Sequence, residues 1–170
     1  MYLLGHLGIG LGLAWLLAWK TRLPVDYRLV LLGTILPDLV DKPLGLLLGL
    51  EARLWAHTLV FVGAILGVSL VPSLRGLVYL GLGVATHLLL DEIWQQPWVV
   101  LWPAFGFAFP PGITDLLSRL LVLFSDPVVI AGEIAGTMVL LAFARVHGIN
   151  SWRALVQFLR TGASRATSSI

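Results

Sequence analysis

Long apolar stretches broken by short polar or basic segments make up most of this chain, and their lengths set the plan. Crossing a bilayer takes about 20 mostly apolar residues. Five stretches approach that length, at residues 2–19, 29–50, 54–71, 76–94 and 127–144. They predict an all-α fold, a polytopic membrane helical bundle of about five transmembrane helices plus short interfacial helices. Lys20, Arg22 and Arg28 follow the first stretch, while Pro37, Asp38, Asp41, Lys42 and Pro43 interrupt the second. Pro72, Ser73, Leu74 and Arg75 form a turn between the third and fourth. Residues 95–112 are rich in proline and aromatics, and residues 113–124 read as a short amphipathic helix carrying Asp115 and Arg119. Asn150 or Ser151 starts a last amphipathic helix through Arg160, with Trp152, Leu155, Val156 and Leu159 on its apolar side. The chain thus divides into a transmembrane helical domain over residues 1–148 and a C-terminal amphipathic helix with a polar tail over residues 149–170. Only residues 161–170 look disordered.

Composition agrees with a membrane protein. Of 170 residues 58% are hydrophobic and 12% charged, with a mean hydropathy of +0.94, whereas soluble domains average about 25% charged. The first stretch has no positive leader region and no small-residue cleavage site, so it reads as a retained span. The net charge is only +2 and the basic residues are scattered, which argues against a nucleic-acid partner. The absence of cysteine excludes disulfides, thiolate metal sites and cysteine nucleophiles. With five spans, Lys20, Arg22, Arg28, Arg75, Arg145, Arg153, Arg160 and Arg165 gather on one side, against Arg53 and Arg119 on the other. By the positive-inside tendency the N-terminus is then outside and the C-terminus cytoplasmic, in the cytoplasmic (inner) membrane. Glycines spaced four apart (Gly8 and Gly12, Gly45 and Gly49, Gly63 and Gly67, Gly132 and Gly136) suggest close helix contacts.

Against this apolar background stand His6, Asp38, Asp41, His57, His87 and Asp91. A charge at the bilayer centre costs roughly 2.5–3.5 kcal/mol on insertion scales, so such groups face a cavity, pair up, or bind an ion. In the five-span layout all six fall in the outer half of the membrane. His87 and Asp91 are four residues apart and share a helical face, as do Arg53 and His57; Asp38 and Asp41 are three apart, just after Pro37. Paired carboxylates repel unless a cation lies between them. Imidazoles and carboxylates without thiols suit a divalent metal, with zinc favoured by the imidazoles and manganese or magnesium as alternatives. Metal ligands are therefore expected among His6, Asp38, Asp41, His57, His87 and Asp91. Asp41 is also the expected general base, and Arg53 the clamp for a phosphate. Arg53 snorkelling to headgroups, and an Asp41–Lys42 ion pair beside a kink, are the plainer readings. Glu133 lies in the same half but is expected to pair with a neighbouring helix, and His147 lies at the opposite end. Trp94, Trp98, Trp102, Phe105, Phe107 and Phe109 form either an interfacial belt or a lid over the site.

The run His6 … Gly33-Thr34-Ile35-Leu36-Pro37-Asp38-Leu39-Val40-Asp41 … Arg53-Leu54-Trp55-Ala56-His57-Thr58 … His87-Leu88-Leu89-Leu90-Asp91 … Leu101-Trp102-Pro103 resembles the YdjM-like membrane proteins, over about residues 1–145. The resemblance implies a LexA-binding, inner-membrane-associated, metal-dependent hydrolase. The family usually reads close to H-R-G-x-T-H-S near the third span. Here Arg53 and His57 match, but Ala52 replaces the first histidine, Leu54 the glycine and Thr58 the serine, which removes one candidate ligand or proton shuttle. A more remote likeness to zinc-dependent phospholipases C implies phosphoester hydrolysis. The leading expectation is a membrane-embedded metal-dependent hydrolase, a phosphoesterase acting on a membrane lipid or lipid-linked substrate from the outer leaflet. The alternatives are a membrane scaffold with a structural metal site that meets a soluble cytoplasmic partner, and a cation or proton transporter. No internal repeat is evident and the cytoplasmic halves of the spans lack polar residues, which disfavours a through-path.

Overall fold

The computed structural model describes residues 2–112, 121–122 and 124–161. Most of the amphipathic helix expected over residues 113–124, and the tail beyond Thr161, lie outside the described residues. The helices in chain order are α1 (Leu3–Thr21), α2 (Tyr27–Gly33), α3 (Leu36–Leu48), α4 (Leu59–Val68), α5 (Leu77–Leu90), α6 (Pro97–Val100), α7 (Pro127–Val146) and α8 (Trp152–Thr161). Three short 3-10 turns connect them, and the single extended pairing among the described residues is the isolated bridge between Leu50 and Pro111. The fold class is all-α, as expected.

The five-span layout is not confirmed. Among the described residues only α1 and α7 have the length and apolar composition to cross a membrane unaided. The second expected span breaks into α2 and α3 at Thr34 and Ile35. Pro37, in the first turn of α3, has no N–H to offer the carbonyl four residues back, and this ends α2. The third span opens as a 3-10 turn at Trp55–His57 before the 10-residue α4, and α5 has 14 residues.

Helix ends are fixed by carboxylates. Asp126 accepts from the backbone N–H of Val128 and Val129 to start α7, with Pro127 in its first turn. α1 has no side-chain cap of its own. Its first N–H groups, from Tyr2, Leu4 and Gly5, donate instead to Glu133 of α7 at 2.9–3.0 Å, where the carboxylate also meets the positive end of the helix dipole. Glu133 therefore does pair with a neighbouring helix.

In lipid, helices associate through close packing rather than through burial of apolar area. The α1–α7 crossing is built on Gly8 against Gly136, and the α2–α5 crossing on Gly33 against Gly83, where a Cβ would overlap the partner backbone. Gly63 and Gly67 face open space, and Gly49 ends α3 with a φ of 65°, so these expected pairs do not pack helices. Leu46, Leu47 and Leu70 are 74–81% exposed, which would be costly in water but not against acyl chains.

Two apolar clusters result. One joins Leu11, Ala14, Tyr27, Val30, Phe143 and Phe158. It gathers the start of α2, the end of α7 and the docked α8, and His147 stacks there on Phe143 at 3.9 Å with its Nδ1–H donating to the Phe143 carbonyl. Burial holds the His147 imidazole below its usual pKa. The other cluster joins Leu54, Val62, Val84, Leu88, Ile93, Val99 and Phe109. The polar site lies beside this second cluster.

Candidate metal centre

Asp41 organises the local backbone. Fully buried, its Oδ2 accepts from the N–H groups of Leu54 (2.7 Å) and His57 (3.2 Å), and its Oδ1 from Ala56 (3.1 Å). The 3-10 turn wraps around the carboxylate as backbone donors do around any bound anion. A fourth donor, Nδ1–H of His57, reaches Oδ2 at 2.7 Å. A carboxylate offers about four acceptor positions, two on each oxygen; three donors crowd Oδ2 and one reaches Oδ1. Asp41 holds His57 by the back of its ring and by its backbone.

The other two imidazoles are held the same way. Nδ1–H of His87 donates to the Thr34 carbonyl at 2.8 Å, and Nδ1–H of His6 to the Tyr2 carbonyl at 2.7 Å. A carbonyl only accepts, so each of these Nδ1 atoms carries the hydrogen. Each Nε2 therefore presents a lone pair in the neutral ring. The consequence is unusual for a structural polar core. Nε2 of His57 and Nε2 of His87 face each other at 3.2 Å, both buried. Nε2 of His6 is buried without a hydrogen bond and lies 3.1 Å from Asp91 Oδ1, itself an acceptor. Acceptors aimed at acceptors need a proton or a metal cation between them.

Asp38, His57, His87 and Asp91 each present one ligand atom, all within 4.8 Å of one another. Asp38 Oδ1 is 3.8 Å from His57 Nε2 and 3.9 Å from His87 Nε2; Asp91 Oδ2 is 4.0 Å from His87 Nε2. Two nitrogen ligands at about 2.0–2.1 Å from a tetrahedral ion lie about 3.3 Å apart, which the two imidazoles meet and the carboxylates approach within a rotamer adjustment. The group has the composition and spacing to hold a metal ion, and the backbone and carboxylate tethers on each Nδ1 are the partners that metal-binding histidines use. His6 stands outside the four but stacks on His87, with ring centroids 4.3 Å apart.

Two cations border the group. Arg53 donates to Asp91 Oδ2 through Nε (3.2 Å) and a terminal nitrogen (3.0 Å). Lys42 Nζ pairs with Asp38 Oδ2 at 2.6 Å, so its partner is Asp38 and not Asp41. Asp38, Lys42 and Arg53 are partly exposed, and the histidines are not. The site is closed behind and open where the cations stand.

The match to known families is decided by a model that covers residues 1–157, that of the YdjM inner membrane protein family. The chain belongs to that family. No curated protein and no solved structure matches it. Membership makes this a protein of an inner membrane family, and the sequence motifs that suggested YdjM carry the same His and Asp residues that converge here. Of the expected ligands, Asp38, His57, His87 and Asp91 come together, His6 borders them, and Asp41 lies behind His57. Thr34 went unnoticed in the sequence. Its one signal is the Pro37 break, which leaves the Thr34 carbonyl to take the ring N–H of His87.

Proposed function

We propose that this YdjM-family chain is a membrane-embedded, metal-dependent phosphoesterase acting on a lipid or lipid-linked substrate. The observation that carries the reading is the pair of buried Nε2 atoms 3.2 Å apart, each with its Nδ1 committed elsewhere, beside Asp38 and Asp91. Asp38, His57, His87 and Asp91 would hold the ion. Zinc is favoured by the two imidazoles, and manganese or magnesium would suit the carboxylates. A bound divalent ion supplies Lewis acidity toward a phosphoryl oxygen and acidifies a nearby water. The remaining tasks fall to the chain. Arg53 and Lys42 bind the phosphate at the open side, the guanidinium being suited to two oxygens at once. Asp38, the more exposed carboxylate, is placed to take a proton from water. Asp41 is better suited to positioning His57 than to serving as ligand or base, because it is fully buried behind the ring and the oxygen nearest His57 already takes three donors.

The basic residues set the orientation in this reading, with the Arg28, Arg145 and α8 end in the cytoplasm and the N-terminus outside. A soluble partner would meet the cytoplasmic end. The metal group then opens toward the outer leaflet, and the exposed Leu39, Leu59 and Leu89, each within two residues of a ligand in the chain, favour a substrate that arrives through lipid.

The test is the metal content of detergent-purified protein by mass spectrometry, beside the variant His57→Ala/His87→Ala. Stoichiometric zinc or manganese in the parent, lost in a variant that keeps its helical circular dichroism, with metal-dependent phosphate release from lipid phosphoesters, is the expected result. Absence of metal after loading overturns the reading.

A further inference from the structure

On the side of α5 away from the ligands, an apolar groove of about 310 Å³ runs between α4 and α5. Its floor is Val62, Leu88 and Ile93, all buried; Ala85 lies along it, and Leu59 and Trp94 stand exposed at its rim. The groove and the metal group share their supports. Leu88 follows His87, Ile93 lies two residues after Asp91, and Leu59 two residues after His57.

The lining side chains offer an occupant almost nothing to hydrogen-bond. An ion, a sugar or a peptide backbone would be left unsatisfied there, and a water needs polar partners to stay. The family resides in the inner membrane, so what meets the exposed rim is hydrocarbon. We propose that the groove receives one acyl chain of a membrane phospholipid and, because it reaches Ile93 and Trp94 just past Asp91 at the end of α5, brings the phosphoester round that end to the Asp38, His57, His87 and Asp91 group. The delivery rests on the hydrolase reading above; the chain binding does not. An acyl chain leaving the bilayer for this groove exchanges one apolar surrounding for another, so little affinity comes from transfer. The groove instead selects chain length and shape and fixes where the headgroup lies. Ala85 is the smallest of the lining side chains named, so a larger side chain there takes up the space a chain would enter.

The experiment places the full chain in vesicles of phosphatidylethanolamine and phosphatidylglycerol containing a trace of phospholipid with a photoactivatable group on its acyl chain. After irradiation, labelled peptides are mapped by mass spectrometry in the parent, in Ala85→Phe, and in Leu46→Phe as a lipid-facing control. Label concentrated on residues 59–62 and 85–100, falling about fivefold or more in Ala85→Phe, as expected when an added ring overfills a fitted site, and unchanged in Leu46→Phe, is the predicted result. A thermal midpoint and metal content retained in Ala85→Phe show that the fold survives; Ala85→Val, a smaller filling, gives an intermediate loss and serves if the ring is not tolerated. Label spread evenly over lipid-facing helices, or groove label indifferent to both substitutions, overturns the proposal. Labelling needs no turnover. Groove label without metal would sustain the acyl site and overturn the hydrolase, and turnover of long and short chains unaffected by Ala85→Phe would do the reverse.

Discussion

Replacing Asp41 by asparagine tests the idea that this residue holds His57 rather than the metal. The carboxylate takes four charge-assisted hydrogen bonds, three at Oδ2 and one at Oδ1. Asparagine is nearly isosteric, but only one of its atoms accepts. In the better orientation its oxygen replaces Oδ2 and keeps three donors, now neutral and each weaker by about 0.5–1 kcal/mol. Its NH2 then faces the Ala56 N–H, leaving two buried donors opposed at about 1–3 kcal/mol. The expected destabilisation is therefore about 3–5 kcal/mol, as for other broken buried networks. Losing the carboxylate behind a ligating histidine typically costs about 10–100-fold in metal affinity. Thermal unfolding of detergent-purified protein reads the first quantity, and zinc titration against a chelating dye, below the shifted midpoint, reads the second. If Asp41→Asn bound zinc as tightly as the parent, the positioning role would be wrong. If it abolished binding outright while leaving the fold as stable, Asp41 would have to be a ligand after all.

Three further outcomes are expected. Glu133→Ala strips α1 of the side-chain cap that Glu133 supplies and should lower stability by about 1–2 kcal/mol, seen as a lower thermal midpoint, while metal bound to the four-residue group is retained. Gly83→Val pushes a side chain into the backbone of α2 and should cost about 3 kcal/mol or more, whereas Gly63→Ala, which meets open space, should be neutral or stabilising by up to about 1 kcal/mol; paired thermal melts decide it. The Arg28 guanidinium donates to both Asp26 oxygens and to the Arg160 carbonyl at the end of α8, and it holds the Asp26 carboxyl below its ordinary pKa. A depressed carboxyl pKa favours the folded state above the unfolded value of about 3.9 and loses that advantage as pH falls through the folded value. Protection of the α8 amides, exchange rates being compared with their intrinsic values at each pH, should therefore hold at neutral pH and fall only below about pH 4, and Asp26→Asn should abolish that pH dependence.

What the sequence made legible was decided by range. The apolar runs and the intrahelical spacing of His87 and Asp91 are local, and both survive in the fold. So does the position of Asp38 in the first turn after a proline-marked break. The Lys42 partner was also local: Asp38 lies four residues before it, the spacing that brings side chains together, while the adjacent Asp41 points away. Asp41 misled because spacing places it on the face of Asp38, whereas the turn at residues 54–57, 13–16 positions away, captured it with backbone donors that no side-chain pattern announces. Gly33 with Gly83, and Glu133 with the first turn of α1, are partnerships across the chain. Glycine spacing cannot identify which helix will cross which, and so Gly63 and Gly67 looked as promising as Gly8. The three middle spans outran their helices for the same reason. Hydropathy counts residues and does not see that Thr34 leaves the helix to serve His87.

Charge supplies a last argument about the substrate. Asp38, Asp41 and Asp91 stand against Lys42 and Arg53, so the carboxylates and cations of the cluster sum to one formal negative charge, the histidines left uncounted. A divalent ion reverses this to one positive charge, in surroundings where an uncompensated charge is expensive. A monoanion completes neutrality, and a phosphodiester is one. Ion and anion should then bind cooperatively, each strengthening the other by the same factor. An anion about 5 Å from a divalent ion gains about 7 kcal/mol at an effective dielectric near 20; screening at the partly exposed mouth and partial neutralisation of the ion by its carboxylate ligands cut this to about 1.4 kcal/mol or more, an effect of at least about tenfold. Zinc titrations with and without a soluble diester such as dimethyl phosphate measure it, and Lys42→Gln should reduce the coupling by removing a cation. Zinc affinity indifferent to the diester would mean that the anion never approaches the metal group, and the phosphoester reading would fail even with metal bound.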